Sequence, residues 1–154
     1  MAQRDIIDIL NNMSITVDDI VDAAFELYFP HPGVETRIKA EQVFRRELDI
    51  ALSDPNLCLL IYAGVLLESE GIKGNLPNLQ QSDYDNDLAC LEADEVLGLS
   101  IANYIGGYKG VFDYVRYDKA KPGILGRLGP FMDDVIGGLI GGVSSNMYTR
   151  ATFD

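Results

Sequence analysis

One histidine and two cysteines are the only imidazole and thiol side chains in 154 residues. Cys58 and Cys90 lie far apart with no CxxC between them, which argues against a structural or catalytic zinc centre. Neither cysteine is followed six residues later by arginine, which excludes the cysteine-phosphatase loop. His31 sits between Pro30 and Pro32 without an Arg-His-Gly pattern and reads as a turn residue. Cations are scarce as well. Twelve Lys plus Arg face 24 Asp plus Glu, a formal charge of −12 that repels nucleic acid and anionic membrane surfaces. The longest apolar runs, Leu57 to Leu67 and Val135 to Val143, fall short of the roughly 20 residues needed to span a bilayer. The first residues contain no signal-peptide apolar region. The expectation is a soluble cytoplasmic protein with reduced core thiols, no stable membrane insertion and no nucleic-acid partner.

Strand-like alternation is missing too, and so are P-loop and dinucleotide fingerprints. What the chain does contain is helical periodicity. Thr16, with Asp19 three residues on, opens an amphipathic helix through Val17, Ile20, Ala24 and Leu27. Pro30-His31-Pro32-Gly33 breaks it. A second helix runs from about Val34 to Leu52, with Ile38, Val43, Leu48 and Ala51 as its apolar positions. Asp54-Pro55 starts a third, Asn56 to about Glu70, apolar nearly all round and therefore expected to be central. Residues 71–82 read as a polar loop. A fourth helix covers roughly Asn86 to Ile105 and stops at Gly106-Gly107. A shorter one spans about Gly110 to Ala120 and ends before Pro122. Gly129-Pro130 opens the last helix, and Asp5 to Asn11 is a small helix of its own. Gly137, Gly138, Gly141 and Gly142 cost about 1 kcal/mol each inside a helix, which implies close backbone approach to another helix or a subunit. The expected architecture is an all-α, single-domain multi-helix bundle, assembled as a homo-oligomer.

Two stretches repeat one pattern, an acid pair, two aliphatics and glycine: Asp94-Glu95-Val96-Leu97-Gly98 and Asp133-Asp134-Val135-Ile136-Gly137. Adjacent carboxylates bordering a core are costly unless a positive charge neutralises them, and a hard divalent cation with oxygen ligands does so. The helix dipole accounts for one acid behind Pro130, or for both, but offers nothing to Asp94-Glu95 inside its helix. Gly98, four residues after Asp94, is expected to leave room there for an ion or substrate. Between the two pairs, Arg116 and Lys121 are suited to phosphate oxygens, and Asp118 to holding Arg116 or adding a metal ligand. Glu68, in an otherwise apolar helix, is a further candidate ligand. Asp83-Tyr84-Asp85-Asn86-Asp87 resembles the start of an EF-hand loop, but Leu88 replaces its glycine and Asp94 its final glutamate.

Taken together, Asp94-Glu95-Val96-Leu97-Gly98, Arg116-Tyr117-Asp118-Lys119-Ala120-Lys121-Pro122 and Asp133-Asp134-Val135-Ile136-Gly137-Gly138 resemble the phosphatidylglycerophosphatase A family. Its pattern is Asp-Glu-x-x-Gly, then Arg-x-x-Asp-x-x-Lys-Pro, then Asp-Asp-x-x-Ala-Gly. Two departures stand out: the Arg-to-Asp spacing is one residue shorter here, and the family's alanine is Gly137. The resemblance implies a Mg²⁺-dependent phosphomonoester phosphatase. Asp94, Glu95, Asp133 and Asp134 would bind the metal, Asp118 and Glu68 would be additions, and Arg116 and Lys121 would hold the phosphate of a small substrate. One of the carboxylates would act as general base. Lacking the long apolar segments of that family's bacterial membrane enzymes, the chain is more similar to the soluble branch that includes archaeal α-ribazole-5′-phosphate phosphatases of cobalamin assembly, which makes α-ribazole 5′-phosphate or adenosylcobalamin 5′-phosphate the expected substrate. Phosphatidylglycerophosphate is the alternative. Two other readings stand beside it: an all-α nucleotide pyrophosphohydrolase, for which Glu92-Ala93-Asp94-Glu95 supplies only one of two required acid pairs, and a non-catalytic oligomeric or ligand-binding protein.

Overall fold

Side-chain caps decide where the first four helices begin. In the computed structural model, which describes residues 3–86 and 91–151, α1 (Ile6–Asn12) opens on Asp5, whose carboxylate accepts the Ile7 amide at 2.8 Å. Helix α2 (Val17–Phe25) opens on the reciprocal Thr16–Asp19 capping box. Helix α3 (Arg37–Leu52) starts at Thr36, later than its periodicity suggests. Gly33 at φ 90° lets the Val34 amide turn back onto the His31 carbonyl at 2.9 Å, so the turn uses up residues assigned to the helix. Ile38, expected in the core, is 76% exposed; Ala40, Val43, Phe44 and Leu48 form the buried face.

Helix α4 (Pro55–Ile72) follows α3 at 85°, with Asp54 capping and Pro55 in its first turn. It is not the central helix that its composition suggests: Leu59, Leu66 and Ile72 face solvent, and one face, with Leu57, Ile61 and Val65, is buried. The segment expected to be loop is interrupted by a short α5 (Gln81–Asn86). Cys90, Asp87 and Leu88 lie outside the described residues.

The central pair is α6 (Ala93–Ala120) and α7 (Pro130–Arg150), joined by a 3-10 turn at Gly123–Gly126. The expected break at Gly106-Gly107 is a chain reversal inside α6. Gly107 adopts φ 64° and ψ −149°, a conformation nearly confined to glycine. A Cβ at Gly110 would collide with the Ala102 carbonyl, and one at Gly98 would lie 2.8 Å from the Tyr114 hydroxyl. The arms 93–106 and 108–120 therefore fold back on each other, and both lie on α7. Gly138 packs against the Gly98 carbonyl; a Cβ at Gly141 would stand 2.5 Å from the Tyr114 nitrogen, and one at Gly142 would stand 2.6 Å from Ile105. Three of the four glycines thus make the implied close approach, and it is to α6 of the same chain. Helix α7 is buried along almost its whole length, with Val135, Ile136, Leu139, Ile140 and Val143 fully enclosed. The architecture is all-α with no named strand among the described residues, and no single helix among them is long and apolar enough to cross a membrane.

Candidate functional site

Because α6 doubles back, its first turn, its last turn and the first turn of α7 meet at one end of the bundle. Asp94 enters from the first, Tyr114, Asp118 and Lys121 from the returning arm, and Asp133 and Asp134 from α7. The two acid pairs, remote in sequence, come together here. The Asp94 and Asp134 carboxyls hydrogen-bond to each other, and the Tyr114 hydroxyl donates to Asp134 Oδ1 at 2.5 Å. Asp94 Oδ1 also accepts the Glu95 amide at 2.8 Å. Only 2% of Asp94 and 3% of Asp134 is exposed, so solvent cannot screen them. Two carboxyls in contact need a shared proton or a cation. Burial pushes the Asp134 pKa above the usual carboxylate range, against the hydrogen bonds from Tyr114 and Asp94, and the Asp118 charge adds to the rise. Burial and the Asp134 hydrogen bond likewise hold the Tyr114 hydroxyl firmly protonated.

Lys121 closes α6 in the left-handed region at φ 48°, its amide donating to the Tyr117 carbonyl at 2.8 Å. That conformation costs a non-glycine residue about 1–2 kcal/mol. It aims Nζ between two carboxylates, Asp118 Oδ1 at 2.6 Å and Asp133 Oδ2 at 2.9 Å. Burial pulls the ammonium pKa down, but these two partners outweigh it and raise the pKa above the ordinary lysine value. The expected site therefore divides in two. Asp118 and Asp133 are matched by Lys121, while Asp94 and Asp134 form the buried pair. Glu95 is exposed at the rim, near enough for its charge to act on Tyr114.

Three expectations are corrected. Glu68 is not free to ligate a metal. Its Oε1 accepts the Met132 amide at 3.1 Å, and its Oε2 accepts the Tyr84 hydroxyl at 2.7 Å and lies 3.5 Å from the Phe131 amide. It caps α7, whose own cap residue, Gly129, has no side chain to offer. Gly98 leaves no room for an ion, because the Asp134 carbonyl and Tyr114 hydroxyl fill the space. Arg116 does not join the acid cluster. Its guanidinium stands 5.4 Å from the centre of the Phe29 ring and 5.7 Å from that of Tyr117, with Nε 3.4 Å from Asp113. Two residues on a helix turn the side chain about 200°, so the shortened Arg-to-Asp spacing puts Arg116 on the face opposite Asp118. Tyr114, four residues before Asp118 on the same face, is the member that the sequence reading missed.

Among the described residues, no three His, Cys, Asp or Glu side chains could hold a metal ion by themselves. The donor set still fits Mg²⁺, a hard ion that commonly takes one or two carboxylates and completes its shell with water and substrate phosphate. Asp94 and Asp134 supply those carboxylates, and their contact is an electrostatic conflict that such an ion relieves.

The chain is 38% identical over 132 residues to the uncharacterized protein MJ1330 of Methanocaldococcus jannaschii, covering 83% of this chain and 99% of that protein. It is 29% identical to the uncharacterized protein YutG of Bacillus subtilis, covering 92% of this chain and 87% of that one. Among solved structures, the low temperature requirement C protein from Listeria monocytogenes superposes with a TM-score of 0.81 at 26% identity, over 97% of this chain and 95% of that chain. No family model matches.

Proposed function

We propose that this chain, which belongs to the family of the Methanocaldococcus jannaschii protein MJ1330, is a Mg²⁺-dependent phosphomonoester phosphatase. The observation that carries the reading is the contact between Asp94 and Asp134. Two acid motifs separated along the chain meet in a buried position bordered by a charged lysine. Asp94 and Asp134 hold the cation, and Glu95 lies at the rim. Bound Mg²⁺ supplies charge neutralisation at the phosphoryl oxygens and lowers the pKa of water.

The remaining steps belong to the chain's own groups. An ammonium has three donors, and Lys121 spends two of them on Asp118 and Asp133. The third is available to a phosphate oxygen, which gives Lys121 the role first shared with Arg116. Tyr114 fixes the rotamer of Asp134 by its short hydrogen bond. Asp118, 31% exposed at its side chain against 9% for Asp133, is the carboxylate positioned to accept a proton from attacking water.

Resemblance to the soluble branch of the phosphatidylglycerophosphatase A family makes α-ribazole 5′-phosphate or adenosylcobalamin 5′-phosphate the preferred substrate, in a cytoplasmic setting. Assembly as a homo-oligomer belongs to the same proposal. Since the glycines of α7 are occupied within the chain, it rests on exposed large apolar side chains such as Tyr108, 84% exposed.

The test is orthophosphate release by purified protein from those two compounds and from phosphatidylglycerophosphate, with and without Mg²⁺. Mg²⁺-dependent release from one of them is expected. A folded sample that releases none overturns the reading, and pyrophosphate release from nucleoside triphosphates would favour the pyrophosphohydrolase.

A further inference from the structure

At the opposite end of the α6 hairpin lies a second polar constellation that the proposed phosphatase does not use. Ser145 sits on α7 about three turns, or about 16 Å, beyond Asp134, too far for one small phosphomonoester to touch both. It lines a cleft of about 250 Å³ whose walls are largely aromatic. Phe29 and Tyr148 stack with ring centres 4.6 Å apart and planes within 13°, and the His31 ring meets Tyr148 edge-on at 5.5 Å. Phe112 stands at the mouth, 73% exposed.

The polar groups are few and specific. Ser145 is 97% buried, given its 3% exposure, yet its hydroxyl has no hydrogen-bond partner. A buried hydroxyl left unpaired costs free energy, and a serine lining a cleft recovers it by a χ1 rotation that turns the oxygen to a polar group entering there. Across from it, Gly106 contributes no side chain; a Cβ there would stand 3.3 Å from the hydroxyl. Asp113 also lines the cleft, and its carboxyl is only 20% exposed, so it can pair with a ring N–H. Burial raises its pKa, against the pull of Arg116. Lys109 lines the cleft as well, and the Arg116 guanidinium rests on the Phe29 ring. In a chain of net charge −12, two cations beside one carboxyl make a locally positive patch.

We propose that this cleft binds a planar heteroaromatic ring bearing an anionic group, the ring against the Phe29–Tyr148 stack with its polar edge toward Asp113 and Ser145, and the anion toward Lys109. A nucleoside monophosphate is the simplest molecule with all three features. Stacking and charge-assisted contacts of this kind each change affinity by roughly five- to tenfold.

Titration calorimetry of the full chain in EDTA tests this with AMP, adenosine and ribose 5-phosphate as probes. AMP should bind, adenosine about five- to tenfold more weakly, and ribose 5-phosphate not at all. Phe112→Ala and Ser145→Ala should each weaken AMP by a similar factor, whereas Asp134→Asn should leave it unchanged. Phe112 is mostly exposed, so its variant keeps the test open if Ser145→Ala folds poorly. The proposal is overturned if AMP does not bind, if ribose 5-phosphate binds as well as AMP, or if Asp134→Asn alone abolishes binding. The last result would place AMP at the carboxylate cluster. Failure of phosphatase activity leaves this cleft untouched, so the two readings fail separately.

Discussion

Glu68 shows how one side chain's meaning depends on partners that sequence spacing does not reveal. In the one-dimensional pattern it is an acid in an apolar helix, which suits a metal ligand. In the folded chain its carboxylate serves the first amides of α7 and the Tyr84 hydroxyl. Glu68→Ala would leave those buried donors unpaired and should cost about 2–3 kcal/mol in chemical denaturation, whether or not Mg²⁺ is present. Thr16 and Asp19 are the opposite case, since their partners lie three residues apart and the capping box was legible from the start. Thr16→Ala should cost about 1 kcal/mol. The Thr16 backbone and side-chain hydrogen bonds hold the Asp19 pKa below its usual value. A carboxylate depressed in the folded state stabilises fully above its unfolded pKa, and that stability is lost as pH falls through the folded one. The melting-temperature gap between the wild type and Asp19→Asn should therefore be complete near neutral pH and close only in acid, below the ordinary aspartate range.

At the scale of elements, glycine positions separate into three kinds. Gly137 has only the Tyr114 ring nearby, with its closest atom 3.5 Å from a built Cβ, which is ordinary contact. The phosphatidylglycerophosphatase A pattern that the sequence resembles carries alanine at this place, and the packing here accepts it. Gly137→Ala should be neutral or stabilising, by up to about 1 kcal/mol. Gly138, one residue on, faces the Gly98 carbonyl without room for a methyl group. Gly138→Ala should cost about 1–3 kcal/mol by forcing α6 and α7 apart. Gly107 has nothing within 4 Å of a built Cβ, so its replacement tests backbone conformation alone. Gly107→Ala should cost about 1–3 kcal/mol at φ 64°. The Gly-Gly dipeptide announced a break in the helix. It did not announce the reversal, because direction after a break is set by packing on α7. Misplacing the central helix has a related cause: α4 is richer in large apolar residues, but α7 has the small residues that permit enclosure on every side.

For the molecule as a whole, the acid pairs were legible because two like-charged motifs beside apolar runs demand compensation wherever they lie. How that compensation divides was not legible, since it depends on the left-handed turn at Lys121 and on which helix face carries Arg116. In EDTA, Asp134→Asn should raise the melting temperature by a few degrees, because it removes one of two buried carboxyls in contact while keeping the acceptor for Tyr114. Mg²⁺ should raise the wild-type melting temperature by mass action and leave that variant unmoved. A wild-type protein indifferent to Mg²⁺ would count against the cation. Every covalent path from Asp94 to Lys121 runs through Gly107. Pivoting that single torsion would part Asp94 from the group holding Asp134 in place, while both helical arms kept their hydrogen bonds. Circular dichroism would then barely register a change that had already dismantled the proposed site, so a mutant's normal spectrum is no certificate that its acids still meet.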